Sequence, residues 1–178
     1  MSLHFALLPE RFFVGNSHWV EGKALLLRGR KIADICSPSR LPRKTEIVAL
    51  PGIVLLPGFF NAHTHLEYTD PSFRKPVRPG FVEWLNAIFT WKAGRKPGDV
   101  PASLRRGAEL CLQSGTVAVG DHYCGDAVPT PLLQSLLKGI VFHEIISRNP
   151  GRAQEVLARI HRRKAAFPAD GLRFGVAL

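Results

Sequence analysis

The chain has 178 residues, of which 46% are hydrophobic, and it carries a formal net charge of +10 at pH 7. This hydrophobic content is typical of a folded protein and excludes a disordered chain. No apolar run approaches the length of about 18 residues that a transmembrane helix needs, and the first residues lack a secretory signal. The three cysteines are widely spaced and odd in number, which excludes a disulfide framework and favours a reducing cytoplasm, with all three thiols as core residues.

The positive charge is scattered along the sequence and does not form one block. Its longest run, Arg162-Arg163-Lys164, lies in a predicted helix whose other face is apolar, so we expect these side chains to form a solvated face. No groove-reading motif or interleaved aromatic pattern accompanies the basic residues. We therefore do not expect nucleic acid to be a partner, nor a membrane.

Residues 1–56 are predicted to form a small β unit. Two apolar runs, at 24–27 and 32–36, flank the turn residues Arg28-Gly29-Arg30 and indicate a hairpin. Further short strands follow, separated by Pro-Gly pairs at 51–52 and 57–58.

From Leu55 onward the pattern changes to alternating strands and helices. Short apolar segments alternate with amphipathic ones, which predicts a parallel sheet covered by helices. The predicted strands lie at 55–65, 116–124, 139–147 and 172–178, and the predicted helices at 81–92, 97–115, 129–139 and 151–167. Because the fourth strand would be an open apolar edge, we expect the chain to continue in a longer protein or to be covered by a partner.

Two histidines end the first of these strands, in the stretch PGFFNAHTHLE at 57–67. In a strand, His63 and His65 would project to the same face with their Cα atoms about 6.6 Å apart. Two imidazoles at that spacing can bind one divalent cation at about 2.0–2.1 Å. The carboxyl ends of strands in α/β folds are also where ligand sites collect. The alternative is a pair of solvated surface histidines.

The stretch LLPGFFNAHTHLE resembles the first barrel strand of the amidohydrolase superfamily, in the branch that contains cytosine, guanine and adenosyl-type deaminases and the triazine chlorohydrolases. The stretches FVEWL (81–85), SGTVAVGD (114–121) and FHEI (142–145) are similar to its first helix and to its second and third strands. The stretch GKALLLRGRKIADI is similar to the hairpin of its small β-sandwich. The resemblance implies that 1–56 form the N-terminal part of this β-sandwich and that 57–178 form the first half, about four strands, of a (β/α)8 TIM-type barrel.

The resemblance also implies a function. His63 and His65 would bind one divalent metal ion, zinc or alternatively iron, in a hydrolase that cleaves non-peptide C–N bonds of a small aminated substrate such as a purine or pyrimidine. The superfamily completes this site with two histidines and an aspartate on later strands, beyond Leu178. We therefore expect an N-terminal fragment that is inactive alone and that pairs with a complementing C-terminal half or with a copy of itself. The alternative is a catalytically silent half-barrel that acts as an oligomerising scaffold.

Other polar groups are weaker candidates, and the resemblance places the acid and base residues on later strands. The candidates for substrate contacts are Glu67, Trp84 and Arg148. At the end of the second strand, we expect Asp121 or His122 to point inward and to support the site. Of the adjacent His143 and Glu144, we expect one to be buried and hydrogen-bonded.

Overall fold

The backbone forms two sheets, one in each of the two units into which the chain divides, Met1–Pro57 and Gly58–Leu178. The structure is a computed structural model and describes residues 4–73, 80–125, 127–146, 149–168 and 171–177. Across these described ranges, no helix has the length and apolar character needed to cross a membrane.

The first unit is a five-stranded sheet organised around its long first strand. The strands are β1 (His4–Gly15), β2 (His18–Glu21), β3 (Ala24–Arg28), β4 (Lys31–Cys36) and β5 (Glu46–Leu55). Strand β1 pairs antiparallel with β2 and β3 and parallel with β5, and β3 pairs antiparallel with β4. The predicted hairpin is thus confirmed as β3–β4. Its small core contains Ala6, Ala24 and Leu26.

The second unit is a four-stranded parallel sheet in the order β6-β7-β8-β9. The strands are β6 (Phe59–Thr64), β7 (Thr116–Tyr123), β8 (Lys138–Glu144) and β9 (Arg173–Ala177). The helices are α1 (Phe81–Ala93), α2 (Asp99–Gln113), α3 (Thr130–Leu133) and α4 (Ala153–Ala165). The predicted α/β alternation and the parallel sheet are confirmed, although α3 is much shorter than the predicted segment.

One face of this sheet packs against the helices and carries the core. Leu104 and Ala108 of α2 pack against Val119 and Tyr123 of β7 and Val141 of β8. Because side chains alternate along a strand, His122 of β7 and Phe142 of β8 point to the opposite face. The candidate site lies on that opposite face and at the carboxyl ends of the strands.

Helix α4 buries residues of its predicted apolar face together with one residue of its basic run. Val156, Ile160 and Arg163, at i, i+4 and i+7, are buried, whereas Leu157 is largely exposed. The expectation that the basic run is entirely solvated is therefore wrong for Arg163. Its guanidinium group donates to His143 Nδ1 and to the carbonyl oxygen of Gly125, and these acceptors explain why a cation is tolerated there.

Strand β8 approaches β7 so closely that one position requires glycine. Gly139 has a φ of 115°, and a Cβ atom built on it would lie 2.0 Å from the carbonyl oxygen of Val119. Both the backbone conformation and the contact exclude a side chain. The close pairing of the two strands that carry the site therefore depends on this residue.

We expect the substitution Gly139→Ala to lower the free energy of unfolding by about 3 kcal/mol or more, because positive φ and backbone overlap add. Gly171→Ala is the matched control, since Gly171 has a φ of 99° and, apart from its chain neighbours, no atom of the described residues lies within 4 Å of the added Cβ. That variant should lose only about 1–2 kcal/mol. Urea denaturation of both variants measures the difference, and equal losses would contradict a role for the close approach.

Candidate functional site

Three imidazole rings gather where β6 and β7 end. His63 lies near the end of β6, His65 directly after it, and His122 near the end of β7. The ring centroids of His63 and His65 are 5.2 Å apart, and that of His122 is 4.1 Å from His63 and 5.7 Å from His65. The two predicted histidines therefore lie together at one strand end, with His122 beside them. Their role as metal ligands stays a prediction.

His122 adds a third ring beside these two imidazoles. Partial burial, together with the neighbouring His63, lowers the pKa of His122 below its usual value. The ring also packs against Phe142, with 5.1 Å between centroids. It therefore tends to stay uncharged at neutral pH and lies against the other two imidazoles.

Two buried carboxylates, Asp121 and Glu67, connect the ends of β6 and β7. Asp121 Oδ1 on β7 accepts hydrogen bonds from Thr64 Oγ1 at 2.8 Å and from the backbone N–H of Leu66 at 2.7 Å. In the opposite direction, Glu67 Oε1 accepts the backbone N–H of Cys124 at 2.9 Å. Asp121 at the end of β7 thus binds the backbone after β6, and Glu67 after β6 binds the backbone after β7. We call Asp121 and Glu67 the reciprocal carboxylate pair.

The reciprocal carboxylate pair is deeply buried. Asp121 is 0% exposed and Glu67 1% exposed. Burial raises the pKa of Asp121, although its bonds to Leu66 and Thr64 oppose the shift. Each carboxylate keeps a second oxygen, Asp121 Oδ2 and Glu67 Oε2, for which the described residues supply no hydrogen-bond partner. Asp121 thus supports the turn that carries His65, in agreement with its predicted supporting position.

A second polar group lies next to the imidazoles. It consists of His65, Cys124 and Glu144. Each of these residues offers one atom that could bind a metal, and the three atoms lie within 4.8 Å of one another. Cys124 Sγ donates to Glu144 Oε2 at 2.6 Å and accepts from the hydroxyl of Tyr68 at 3.7 Å. Burial and the bond to Glu144 raise the pKa of Cys124 to about 12, so the free thiol stays protonated at neutral pH.

The prediction that all three cysteines are core residues is wrong for Cys124. Cys36 is buried and Cys111 packs against the core, but Cys124 is half-buried in this polar group. Sequence reasoning missed Cys124 and Glu144 as a pair. Cys124 ends a predicted strand, where sites collect, but Glu144 lies inside the predicted strand 139–147 and ends only the observed β8. The sequence therefore offered a signal for Cys124 alone.

Lys92 on α1 places a positive charge beside Tyr68 and Glu67. Lys92 Nζ donates to the Tyr68 hydroxyl at 3.2 Å and lies 3.7 Å from Glu67 Oε1. Burial and the charge of Glu67 raise the pKa of Tyr68, which therefore stays protonated. Arg95 donates to the carbonyl oxygen of Glu67 at 2.8 Å. These cations offset the negative charge that the buried Glu67 would otherwise concentrate.

The candidates for substrate contacts are dispersed. Glu67 is buried in the reciprocal carboxylate pair. Trp84 lies on α1, half-buried, with its ring 6.0 Å from that of Phe81. Arg148 lies outside the described residues. Of the adjacent pair in β8, His143 is the buried, hydrogen-bonded residue, and Glu144 faces Cys124.

We expect Asp121→Ala to lower the free energy of unfolding by about 2–4 kcal/mol, because it leaves the buried N–H of Leu66 without its acceptor. Asp121→Asn keeps an oxygen at the same place and should cost less. Thr64→Val removes only the hydroxyl bond and should cost about 1 kcal/mol. Urea denaturation of the three variants gives this order, and an Asp121→Ala variant as stable as Thr64→Val would contradict the role of the Leu66 bond.

The chain is similar in sequence to curated deaminases. It is 30% identical to an aminodeoxyfutalosine deaminase of Deinococcus radiodurans over 155 residues, which are 84% of this chain and 36% of the relative. It is 29% identical to an aminodeoxyfutalosine deaminase of Nitratiruptor sp. over 116 residues, 62% of this chain and 28% of the relative. The chain thus spans about a third of the length of these relatives. No protein-family model matches it.

Solved structures share the fold over almost the whole chain. Aminofutalosine deaminase from Helicobacter pylori, in complex with methylthio-coformycin, aligns with a TM-score of 0.75 at 21% identity and covers 97% of this chain and 43% of its own. An adenosine deaminase from Xanthomonas campestris with bound zinc gives 0.74 at 18% identity, covering 96% and 41%. Atrazine chlorohydrolase from Arthrobacter aurescens, complexed with zinc, gives 0.66 at 16% identity, covering 97% and 46%.

The resemblance predicted from the sequence is therefore confirmed. The relatives and structural neighbours of this chain are deaminases and chlorohydrolases of the amidohydrolase superfamily, and the chain corresponds to only part of each. Its α/β fold matches theirs.

Proposed function

We propose that this chain is the N-terminal part of a metal-dependent deaminase, in which His63 and His65 bind a divalent ion, zinc by preference. The observation that supports this most is the meeting of these two imidazoles at the carboxyl end of β6, in a chain whose relatives are deaminases. In parallel α/β sheets this is the end where ligand sites form.

The donor set fits a zinc ion. His65 Nδ1 is buried and has no hydrogen-bond partner among the described residues, so this ring is not committed to the protein's own network. Imidazole is a preferred ligand of zinc. When bound, such an ion would supply Lewis acidity and an activated water. Two histidines fall short of the three protein ligands that catalytic zinc sites typically have, so we expect residues 1–178 alone to show no turnover.

The chain's own residues hold and orient this pair. Asp121 binds the Thr64 hydroxyl and the Leu66 N–H, the two residues that flank His65, and thereby fixes the backbone on both sides of that imidazole. His122 packs on His63 and limits the volume that the ring can sample. Preorganised ligands of this kind bind a metal without the cost of ordering the chain first.

We propose an aminated purine nucleoside as the substrate. Several relatives are named for the deamination of adenosine derivatives, among them a 5'-deoxyadenosine deaminase of Methanothrix thermoacetophila.

We also propose that the two units of the chain correspond to parts of the two domains of the amidohydrolase superfamily. The sheet β6–β9 and its helices would be the first half of a TIM-type barrel, and residues 1–57 part of the small β-sandwich of the superfamily. In such a barrel the inward-facing side chains of the strands form the core. The exposure of Phe60, at 80%, supports this proposal, because an isolated sheet leaves that face in solvent.

A fusion of residues 1–178 to the part of the Deinococcus radiodurans relative that follows its matched segment tests the function. We expect the zinc-loaded fusion to release ammonia from 5'-deoxyadenosine. His63→Ala or His65→Ala should lower kcat/KM by about 100-fold or more, since even residues behind metal ligands cost about 10–100-fold. His161→Ala, an exposed histidine on α4, is the control and should keep full activity.

Two results would contradict the proposal. One is a folded, zinc-loaded fusion that releases no ammonia from any adenosine derivative. The other is an active fusion that keeps its activity after both histidine substitutions. A silent scaffold, the alternative, would associate into the same oligomer with and without zinc and would show no activity in either state, as size-exclusion chromatography and the ammonia assay would reveal.

A further inference from the structure

We propose that His65, Cys124 and Glu144 form a zinc-binding niche in which the Cys124 thiolate is a ligand. The three residues lie at or just beyond the ends of β6, β7 and β8. The niche needs neither His63 nor any residue beyond those of this chain. It goes beyond the proposed deaminase function and does not depend on it, although both would use His65.

The distances suit a metal after small movements. Zinc binds nitrogen and oxygen at about 2.0–2.2 Å and sulfur at about 2.3 Å, so tetrahedral ligands lie about 3.3–3.7 Å apart. The ligand atoms of the niche lie within 4.8 Å of one another, and Cys124 Sγ lies 2.6 Å from Glu144 Oε2. Binding requires the sulfur and oxygen to separate by about 1 Å, which follows once zinc replaces the hydrogen-bonded proton between them.

The surroundings of the sulfur favour a thiolate once a metal is present. Tyr68 donates its hydroxyl hydrogen to Cys124 Sγ, and Lys92 donates to the oxygen of Tyr68. Both bonds point toward the sulfur, and a donor to an anionic acceptor is stronger than one to a neutral acceptor. The backbone of Cys124 is held as well, because Glu67 accepts its N–H.

The charges of the niche balance those of the ion. One thiolate and one carboxylate neutralise the two positive charges of zinc, so the nearby Lys92 does not face a net positive centre. The overall exchange is one zinc ion taken up and one proton, from the thiol, released to solvent. Soft sulfur and imidazole donors select zinc or cobalt over magnesium.

An ion has a route to the niche. Cys124 and Glu144 line an open groove of about 330 Å³ beside Phe89 and Lys92. All three niche side chains are half-buried, which leaves room for a water or another small ligand in the remaining coordination position. A site with three protein ligands and an open position is the arrangement that zinc takes in catalytic centres.

Cobalt(II), which replaces zinc and reports on sulfur ligation, tests the niche in the 178-residue chain. We expect a sulfur-to-cobalt charge-transfer band in the near ultraviolet, displaced by zinc but not by excess magnesium. Cys124→Ser should abolish the band, and Glu144→Gln should weaken cobalt binding by about tenfold or more. Cys36→Ser/Cys111→Ser, which leaves Cys124 as the only thiol, should keep the band and is the matched control.

His63→Ala separates the niche from the proposed deaminase site and should leave the band unchanged. Cobalt that binds without a charge-transfer band, and is lost in His63→Ala, would overturn the niche while leaving the histidine pair intact. The niche is also overturned if the band is lost in Cys36→Ser/Cys111→Ser, or if folded wild-type chain shows no band at millimolar cobalt. These tests use the wild type, His63→Ala and Cys36→Ser/Cys111→Ser, all of which retain Cys124. They therefore decide the question even if Cys124→Ser does not fold.

Discussion

The site depends on the reciprocal carboxylate pair. Asp121 on β7 binds the backbone after β6, and Glu67 after β6 binds the backbone after β7. Both carboxylates are buried, where an amide hydrogen without an acceptor is costly, so the two strand ends are held in one relative position. His65 follows the first of these strands and Cys124 the second. One pair of acidic residues therefore positions His65 and Cys124, which supply donors to the proposed metal sites.

Much of the fold could be predicted because its signals are local. Apolar spacing identified β3–β4, helices α1 and α2, and the alternation of strands and helices in the second unit. The burial of Arg163 in α4 could not be predicted in this way. The buried position of Arg163 depends on acceptors at His143 and Gly125, which are 20 and 38 residues away in sequence. A basic run next to an apolar stripe looks like a solvated face until its acceptors are known.

In the candidate site, too, the local features could be predicted from the sequence and the contacts between distant residues could not. His63 and His65 are two residues apart, and that spacing alone predicts that their rings lie on one side of a strand. Cys124 and Glu144 meet only because β7 and β8 pair in parallel with Tyr123 opposite His143, which places the following residue of each strand side by side. No short sequence pattern encodes that register. The use of Glu67 as an acceptor for Cys124, rather than as an open side chain, likewise follows from packing.

The sequence positions of these contacts have a consequence for biosynthesis. Every bond that fixes His65, from Thr64 and Leu66 to Asp121 and from Cys124 to Glu67, joins residues between 64 and 124. Proteins emerge from the ribosome amino terminus first, and early segments can fold before later ones are made. The hydrogen bonds that hold His65 are therefore all encoded before β8 and β9 are translated, although the core around them is completed by Val141 and Leu172. Glu144 is translated 20 residues after Cys124, so the thiol meets its carboxylate partner after these bonds have been encoded.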